Sequence, residues 1–154
     1  MPLTFGMDDS RAHLGHFRRK VSVFTADDLN GELALECANA GWSVCDWVLK
    51  ELGTATGFEK LSDFQEDVRA NCTELAYLQD LAVSYKHKTI TMYEPRLSAA
   101  IRHSGDFSPE DFSREDFGVS GLKLETNGGS TAWMDDVLHA ALAYWDGYFS
   151  RHGL

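Results

Sequence analysis

The stretch 25–53, TADDLNGELALECANAGWSVCDWVLKELG, decides the class of the fold. Leu29, Leu33, Cys37, Ala40, Val44, Val48 and Leu52 recur at helical spacing over about six turns. One apolar face this long needs other elements to cover it, so the chain is expected to be built mainly of packed amphipathic helices. Thr25-Ala-Asp-Asp28 has the form of a capping box opening this helix, and Gly53 is the natural stop. The polar Thr54–Gly57 is the kind of turn that joins antiparallel neighbours.

Working outward, Asp8, Asp9 and Ser10 are cap candidates for an earlier helix that carries Leu14, Phe17, Val21 and Phe24 on one stripe. Beyond the turn, Phe58, Leu61, Phe64 and Val68 form a third stripe. Leu75, Leu78, Ala82 and Tyr85 form a fourth, with a break expected near Asn71. The period then changes. Thr89-Ile-Thr-Met-Tyr93 is rich in β-branched and aromatic residues and stops at Pro95, which predicts a strand, and Leu97, Ala99 and Ile101 also alternate. Asp106-Phe-Ser, Asp111-Phe-Ser and Asp116-Phe-Gly repeat at a spacing of five, which suits neither a helix nor a strand face. We read this segment as a surface loop whose Phe rings pin onto the body. Asn127-Gly-Gly129 predicts a hairpin, after which Asp135 or Asp136 caps a final helix with Val137, Leu138, Ala141, Trp145, Tyr148 and Phe149 on its stripe. The predicted fold is therefore a single domain, mainly α: an antiparallel four- to five-helix bundle with a small antiparallel β element at about 89–133 before the last helix.

The chain has 154 residues and a net charge of −10, which argues against a DNA-binding module, since phosphate neutralisation needs clustered Lys and Arg. The charge is uneven. Arg11, Arg18, Arg19 and Lys20 outweigh Asp8 and Asp9 in residues 1–24, whereas residues 25–57 hold six acids and only Lys50. Two helix faces that attract each other explain this, as does a basic patch for an acidic partner. Cys37, Cys45 and Cys72 fall inside the helical stripes without CxxC pairing, which points to buried thiols in a reducing compartment. The N-terminal stretch lacks the pattern of a signal peptide and no run reaches the length of a membrane span, so the cytoplasm is the expected location.

No phosphate loop, nucleophile elbow, zinc pattern or HExxH is present, so no cofactor and no metal are expected. Three constellations carry chemistry. Trp42, Asp46 and Trp47 on the long helix are set against Asp80, Lys86 and His87 on the fourth. A carboxylate among apolar neighbours needs a partner, which Lys86 and His87 would supply. The result is either a polar clamp between helices or a site in which His87 moves a proton and Lys86 holds an anion. His13 and His16 share a helix face at metal-binding spacing, with Asp135, Asp136 and His139 as company, although exposed His pairs are ordinarily inert. The aromatic set Trp133, Tyr144, Trp145, Tyr148 and Phe149 serves as core or as a homodimer face.

Gly-Trp-Ser-Val-Cys-Asp-Trp (41–47) and Asp-Leu-Ala-Val-Ser-Tyr-Lys-His (80–87) resemble a family of small uncharacterised bacterial and phage helical proteins. Those proteins pair an Asp-Trp with an Asp-Leu-Ala…Lys-His on another helix. A looser similarity is to the HEPN superfamily of helical bundles, many of them ribonucleases in toxin–antitoxin or phage-defence systems. His87 matches the HEPN histidine, but positions 80–82 read Asp-Leu-Ala, no Arg stands four to six residues before it, and Arg69 is too far upstream. Two functions follow. One is a non-catalytic binding protein, with a protein partner or a second copy, in a phage or defence setting. The other is a HEPN-like ribonuclease using His87 and Lys86 at a bundle groove. RNA belongs only to the second reading, and neither implies DNA or a membrane.

Overall fold

The computed structural model describes residues 3–104 and 120–154. Five α-helices and a three-stranded sheet are present among them: α1 (Ser10–Ala26), α2 (Gly31–Leu52), α3 (Leu61–Asn71), α4 (Thr73–His87), β1 (Leu97–His103), β2 (Gly121–Thr126), β3 (Thr131–Trp133) and α5 (Met134–His152). A 3-10 turn, Gly53–Thr56, follows α2. The chain is mainly helical, with the small sheet directly before the last helix, as the stripes predict. The Asp-Phe repeats at 106–118 lie outside the described residues.

Helices α1 and α2 run antiparallel, because Ser10 meets Glu51, His13 stacks on Trp47 and Lys20 pairs with Glu36. The basic and acidic segments thus face each other, with Lys20 Nζ 2.8 Å from Glu36 Oε2. Ser10, 1% exposed, gives its N–H and its hydroxyl to the two oxygens of Glu51. The start of α1 is therefore capped twice: by Asp9, which accepts from Ala12 N–H, and by the end of α2.

Four local expectations are corrected. Thr25 does not cap α2: it lies in the last turn of α1, where its hydroxyl donates to the Val21 carbonyl. The cap is Asn30, whose side chain accepts from Leu33 N–H, so Leu29 falls in the connection. The segment 89–93 is not a strand. It leaves α4 through Lys88 at φ 65°, and the strand that finds a partner is Leu97–His103. High β-propensity is not enough without a neighbour to complete the ladder. Tyr85 is 59% exposed and does not join the core stripe of α4. Asp135 and Asp136 lie within the first turn of α5, where Trp133 is the cap residue and makes no side-chain capping bond; there their charges oppose the positive end of the helix dipole.

The core gathers around α2. Phe17 and Phe24 of α1, Val44 and Val48 of α2, Phe64 of α3, Leu75 and Leu78 of α4, and Leu138 and Trp145 of α5 are closed to solvent. The sheet has the order β1-β2-β3, antiparallel throughout, with a register irregularity between Leu97 and Ala99. Only Leu124 of the sheet reaches the core fully. The β element is a flap laid on the helices, and it leaves a trough at one edge.

Candidate functional site

Asp80 is the one charged side chain buried in the helical body, at 3% exposure among the described residues. It lies on α4 among Leu78, Leu81 and Ala82, where a carboxylate without partners would be costly. Its Oδ2 accepts the backbone N–H groups of Arg96, at 2.7 Å, and Leu97, at 2.9 Å. These are the amides at which the chain enters β1. Asp80 therefore fixes where the strand begins, as a capping carboxylate fixes a helix start.

The segment leading to β1 is tied down beside it. The Arg69 guanidinium lies 4.7 Å from the Tyr93 ring, a cation–π contact between α3 and the 88–96 segment. The Tyr93 hydroxyl and Asp80 Oδ1 are both buried and neither is in a regular hydrogen bond. Burial raises the Tyr93 phenol well above its ordinary range, the Asp80 carboxylate raises it further, and Arg69 opposes them. The phenol is therefore held neutral near neutral pH beside the Asp80 carboxylate.

Held this way, β1 stands off the helices and a trough opens beneath and beside it. Two neighbouring cavities of about 390 and 520 Å3 share Leu35, Leu81 and Ala100. Their walls are mostly apolar, from α2, α4 and the sheet. The charged groups lining them are Lys88, Arg102 and Lys123, together with Asp80, which is committed to backbone. Exposed Lys86 and His87 follow Tyr85 at the α4 end of the trough. In a chain of net charge −10, this is a local concentration of cations.

The sequence-predicted site is only partly assembled. Helices α2 and α4 run antiparallel: Leu35 shares a cavity with Ser84, the Cβ position of Gly41 lies 3.0 Å from Leu78, and Cys45 and Cys72 both act on the Tyr144 phenol. Asp46 is eleven residues beyond Leu35, about 16 Å along the helix axis at 1.5 Å per residue. It therefore sits toward the Cys72 end of α4, away from Lys86 and His87. Asp46 is part-buried; burial raises its pKa and Lys50, one turn on, lowers it. Trp47 stacks on His13 with centroids 4.0 Å apart, and Lys50 Nζ lies 5.4 Å from its ring. Of the four candidates, the structure places Asp80 in the wall of the trough, leaves Lys86 and His87 exposed at the end of α4 and outside the lining of either cavity, and keeps Asp46 apart.

No family model, curated protein or solved structure matches the chain.

The other constellations resolve locally. His13 Nε2 lies 3.1 Å from the Met7 carbonyl oxygen, and His139 Nδ1 lies 2.7 Å from that of Asp135. The His16 imidazole is lowered by burial and by Lys20, Arg19 and His13. Among the described residues, no group of three or more His, Cys, Asp or Glu is placed to hold a metal ion. The three thiols are buried and free, with Cys37 pushed up to about 12 and Cys72 to about 11, chiefly by burial, which makes them poor nucleophiles. Trp145 and Phe149 of the aromatic set are core, and Tyr144 packs beside them. No helix among the described residues is long and apolar enough to cross a membrane.

Sequence reasoning missed Arg69, Tyr93, Arg102 and Lys123. Arg102 and Lys123 both line one cavity, although the pairs Arg102↔Leu122 and Ile101↔Lys123 set their side chains on opposite faces of the sheet, a relationship readable only once β1 and β2 are known to pair.

Proposed function

We propose that the protein is a non-catalytic binding protein whose docking surface is the trough between β1 and the α2–α4 pair, and that its partner presents an anionic segment. The single observation that carries this reading is the charge of the lining: Lys88, Arg102 and Lys123, the last 3.9 Å from Glu125, around apolar walls, on a chain that is otherwise strongly acidic. The acidic balance of the chain as a whole repels an acidic partner, which favours its approach at a cationic lining. The resemblance of the Asp-Trp and Asp-Leu-Ala…Lys-His motifs to small bacterial and phage proteins suits such a role in a phage or defence setting.

The motif residues support a binding role as well. Asp80 Oδ2 holds the start of β1, and Leu81 and Ala82 pack in the core. The test is fluorescence anisotropy with labelled deca-glutamate and deca-lysine at low salt. Deca-glutamate is expected to bind, deca-lysine not, and Arg102→Glu with Lys123→Glu to weaken the former by about tenfold or more. Equal binding of the two peptides, or no effect of the double substitution, overturns the reading. So does cleavage of RNA that is lost in His87→Ala with folding intact, which would instead favour the HEPN-like ribonuclease.

A further inference from the structure

We infer that the segment between α4 and β1 is an unzipped hairpin: residues 93–96 are its anchored turn, and the arm Thr89–Met92 closes on β1 as a fourth strand, over the larger cavity. Closure is a property of the chain alone and holds whatever the trough binds.

The path of the chain lays the arm beside β1. It leaves α4 at Lys88 and reaches Asp80 at Arg96, whose amide that carboxylate holds. Asp80 lies eight residues back along α4, about 12 Å at 1.5 Å per residue, so the arm runs back toward the start of the helix. Strand β1 then returns. Leu97 is held at Asp80, whereas Ala100 to Arg102 line a cavity with Leu29, Gly31 and Ala34 at the start of α2. Leu35 shares a cavity with Ser84, so the start of α2 lies at the end of α4. Arm and strand are therefore antiparallel, and Lys88, Thr89 and Ile90 line the same cavity of about 520 Å3 as Ala99 and Ala100.

The turn is already built. Asp80 Oδ2 accepts the amides of Arg96 and Leu97, and the Arg69 guanidinium lies on the Tyr93 ring. Asn127 donates its side-chain N–H to the Pro95 carbonyl at 2.6 Å and its backbone N–H to the Arg96 carbonyl at 2.9 Å. Pro95 has no N–H to give a ladder and suits a turn. The arm, by contrast, is unused. Thr89-Ile-Thr-Met92 is β-branched at three of four positions, yet among the described residues the backbones of Ile90, Thr91 and Met92 make no hydrogen bond. Met92 is 91% exposed. Strand β1 ends the order β1-β2-β3, with β2 as its one ladder partner among the described residues. Four residues at about 3.3 Å each cover about 13 Å, so the arm can close while the turn stays anchored. The short tether selects this occupant, because an adjoining segment closes at little entropic cost.

Lys88 holds the arm open. It stands at φ 65° and ψ −46°, and the Thr89 N–H donates to the His87 carbonyl at 2.7 Å, which is a γ-turn. This backbone is strained for a residue with a Cβ, and it engages an amide that a ladder would use. Closure releases both.

The experiment times disulfide formation under mild oxidation in the full chain, with Cys37, Cys45 and Cys72 left in place because all three are buried. With 93–96 as the turn, Ile90 pairs with Ala99. The pair Ile90→Cys/Ala99→Cys is expected to link about tenfold faster than Ile90→Cys/Ala100→Cys, whose side chains then point to opposite faces. Adding Lys88→Val, which tolerates positive φ poorly, is expected to speed the first pair about tenfold. Adding Lys88→Gly, which adopts it freely, is expected to slow that pair about tenfold. Amide protection of α2 and α4 is the control for folding, with Lys88→Ile as the second choice where Lys88→Val loses it. In the Lys88→Val chain without added cysteines, Hα–Hα contacts between the arm and β1 are expected by NMR. Equal linking of the two pairs, or rates indifferent to residue 88, overturns the inference. Links that form chiefly between two chains also overturn it and assign the arm or the edge to a second copy.

Discussion

The indole N–H of Trp145 donates to the carbonyl oxygen of Gly41 at 3.0 Å, joining α5 to the middle of α2 across 104 residues of sequence. Both residues are buried, and Phe17 of α1 and Leu78 of α4 also press on α2 at Gly41. A Cβ at this position would lie 2.7 Å from Phe17 Cζ and 3.0 Å from Leu78 Cδ1. The glycine is a matter of space: its absent side chain lets three helices close on α2.

Gly41→Ala is therefore expected to destabilise the fold although alanine is the better helix former. Overpacking costs about 1–3 kcal/mol, against a gain of about 1 kcal/mol in propensity. A net loss of up to about 2 kcal/mol, or roughly 2–4 °C in Tm per kcal/mol, is expected in thermal or urea unfolding. An unchanged or raised Tm would show that Phe17 yields freely.

Asp80→Ala removes the acceptor of two part-buried amides and is expected to cost about 2–3 kcal/mol, since an unsatisfied buried group costs about 1–3 kcal/mol and a part-buried one less. Asp80→Asn keeps a carbonyl oxygen and is expected to lose about half as much. Hydrogen exchange should accelerate at Arg96 and Leu97 before the helices are affected. Uniform acceleration across α1, α2 and α5 would contradict a role confined to anchoring β1.

Asp46 gives a pH-dependent expectation. Its folded pKa lies above its unfolded value of about 3.8, with burial as the cause. The protonated form is thus favoured on folding: the stability it contributes is fully present below the unfolded pKa and is lost as pH rises through the folded one. Asp46→Asn is expected to raise Tm by about 2 °C at pH 7 and to lose that advantage at pH 3. An advantage that grows toward low pH would reverse the assignment.

Lys86 and His87 are exposed, and among the described residues neither makes a hydrogen bond or ion pair. Lys86→Ala and His87→Ala are expected to change stability by less than about 0.5 kcal/mol each. A large loss from either would restore the clamp to Asp46 that the antiparallel packing of α2 and α4 separates. Ribonuclease activity assayed on the same His87→Ala protein checks the catalytic reading without ambiguity about folding.

The helices were legible because their signals are local and redundant. Leu14, Phe17, Val21 and Phe24 repeat at a spacing only a helix satisfies, and all four are buried. The hairpin at Asn127-Gly-Gly129 was equally plain, with Gly129 at φ 85°. Helix starts were harder. Thr25 and Asn30 are both good caps five residues apart, and the choice between them depends on where α1 ends. The strand at 89–93 failed for a different reason: its residues suit a sheet, but β2 pairs with 97–103.

Asp80 could be named from the amino-acid order as one member of a polar cluster, while the need for a partner was read at Asp46; the partners Asp80 does take could not be read, because they are backbone amides and carry no side-chain signature. What the linear chain determined by itself was the periodic content: the helical class, the apolar faces, the hairpin and the acidic balance, each written in neighbouring residues. What only the tertiary structure decided was which ends meet. The antiparallel packing of α2 against α4 carries Asp46 away from Lys86 and His87, and the pairing of β1 with β2 brings Arg102 and Lys123 to the lining of one cavity. Helix direction and strand register are set by packing over the whole core, which no local stretch of residues encodes.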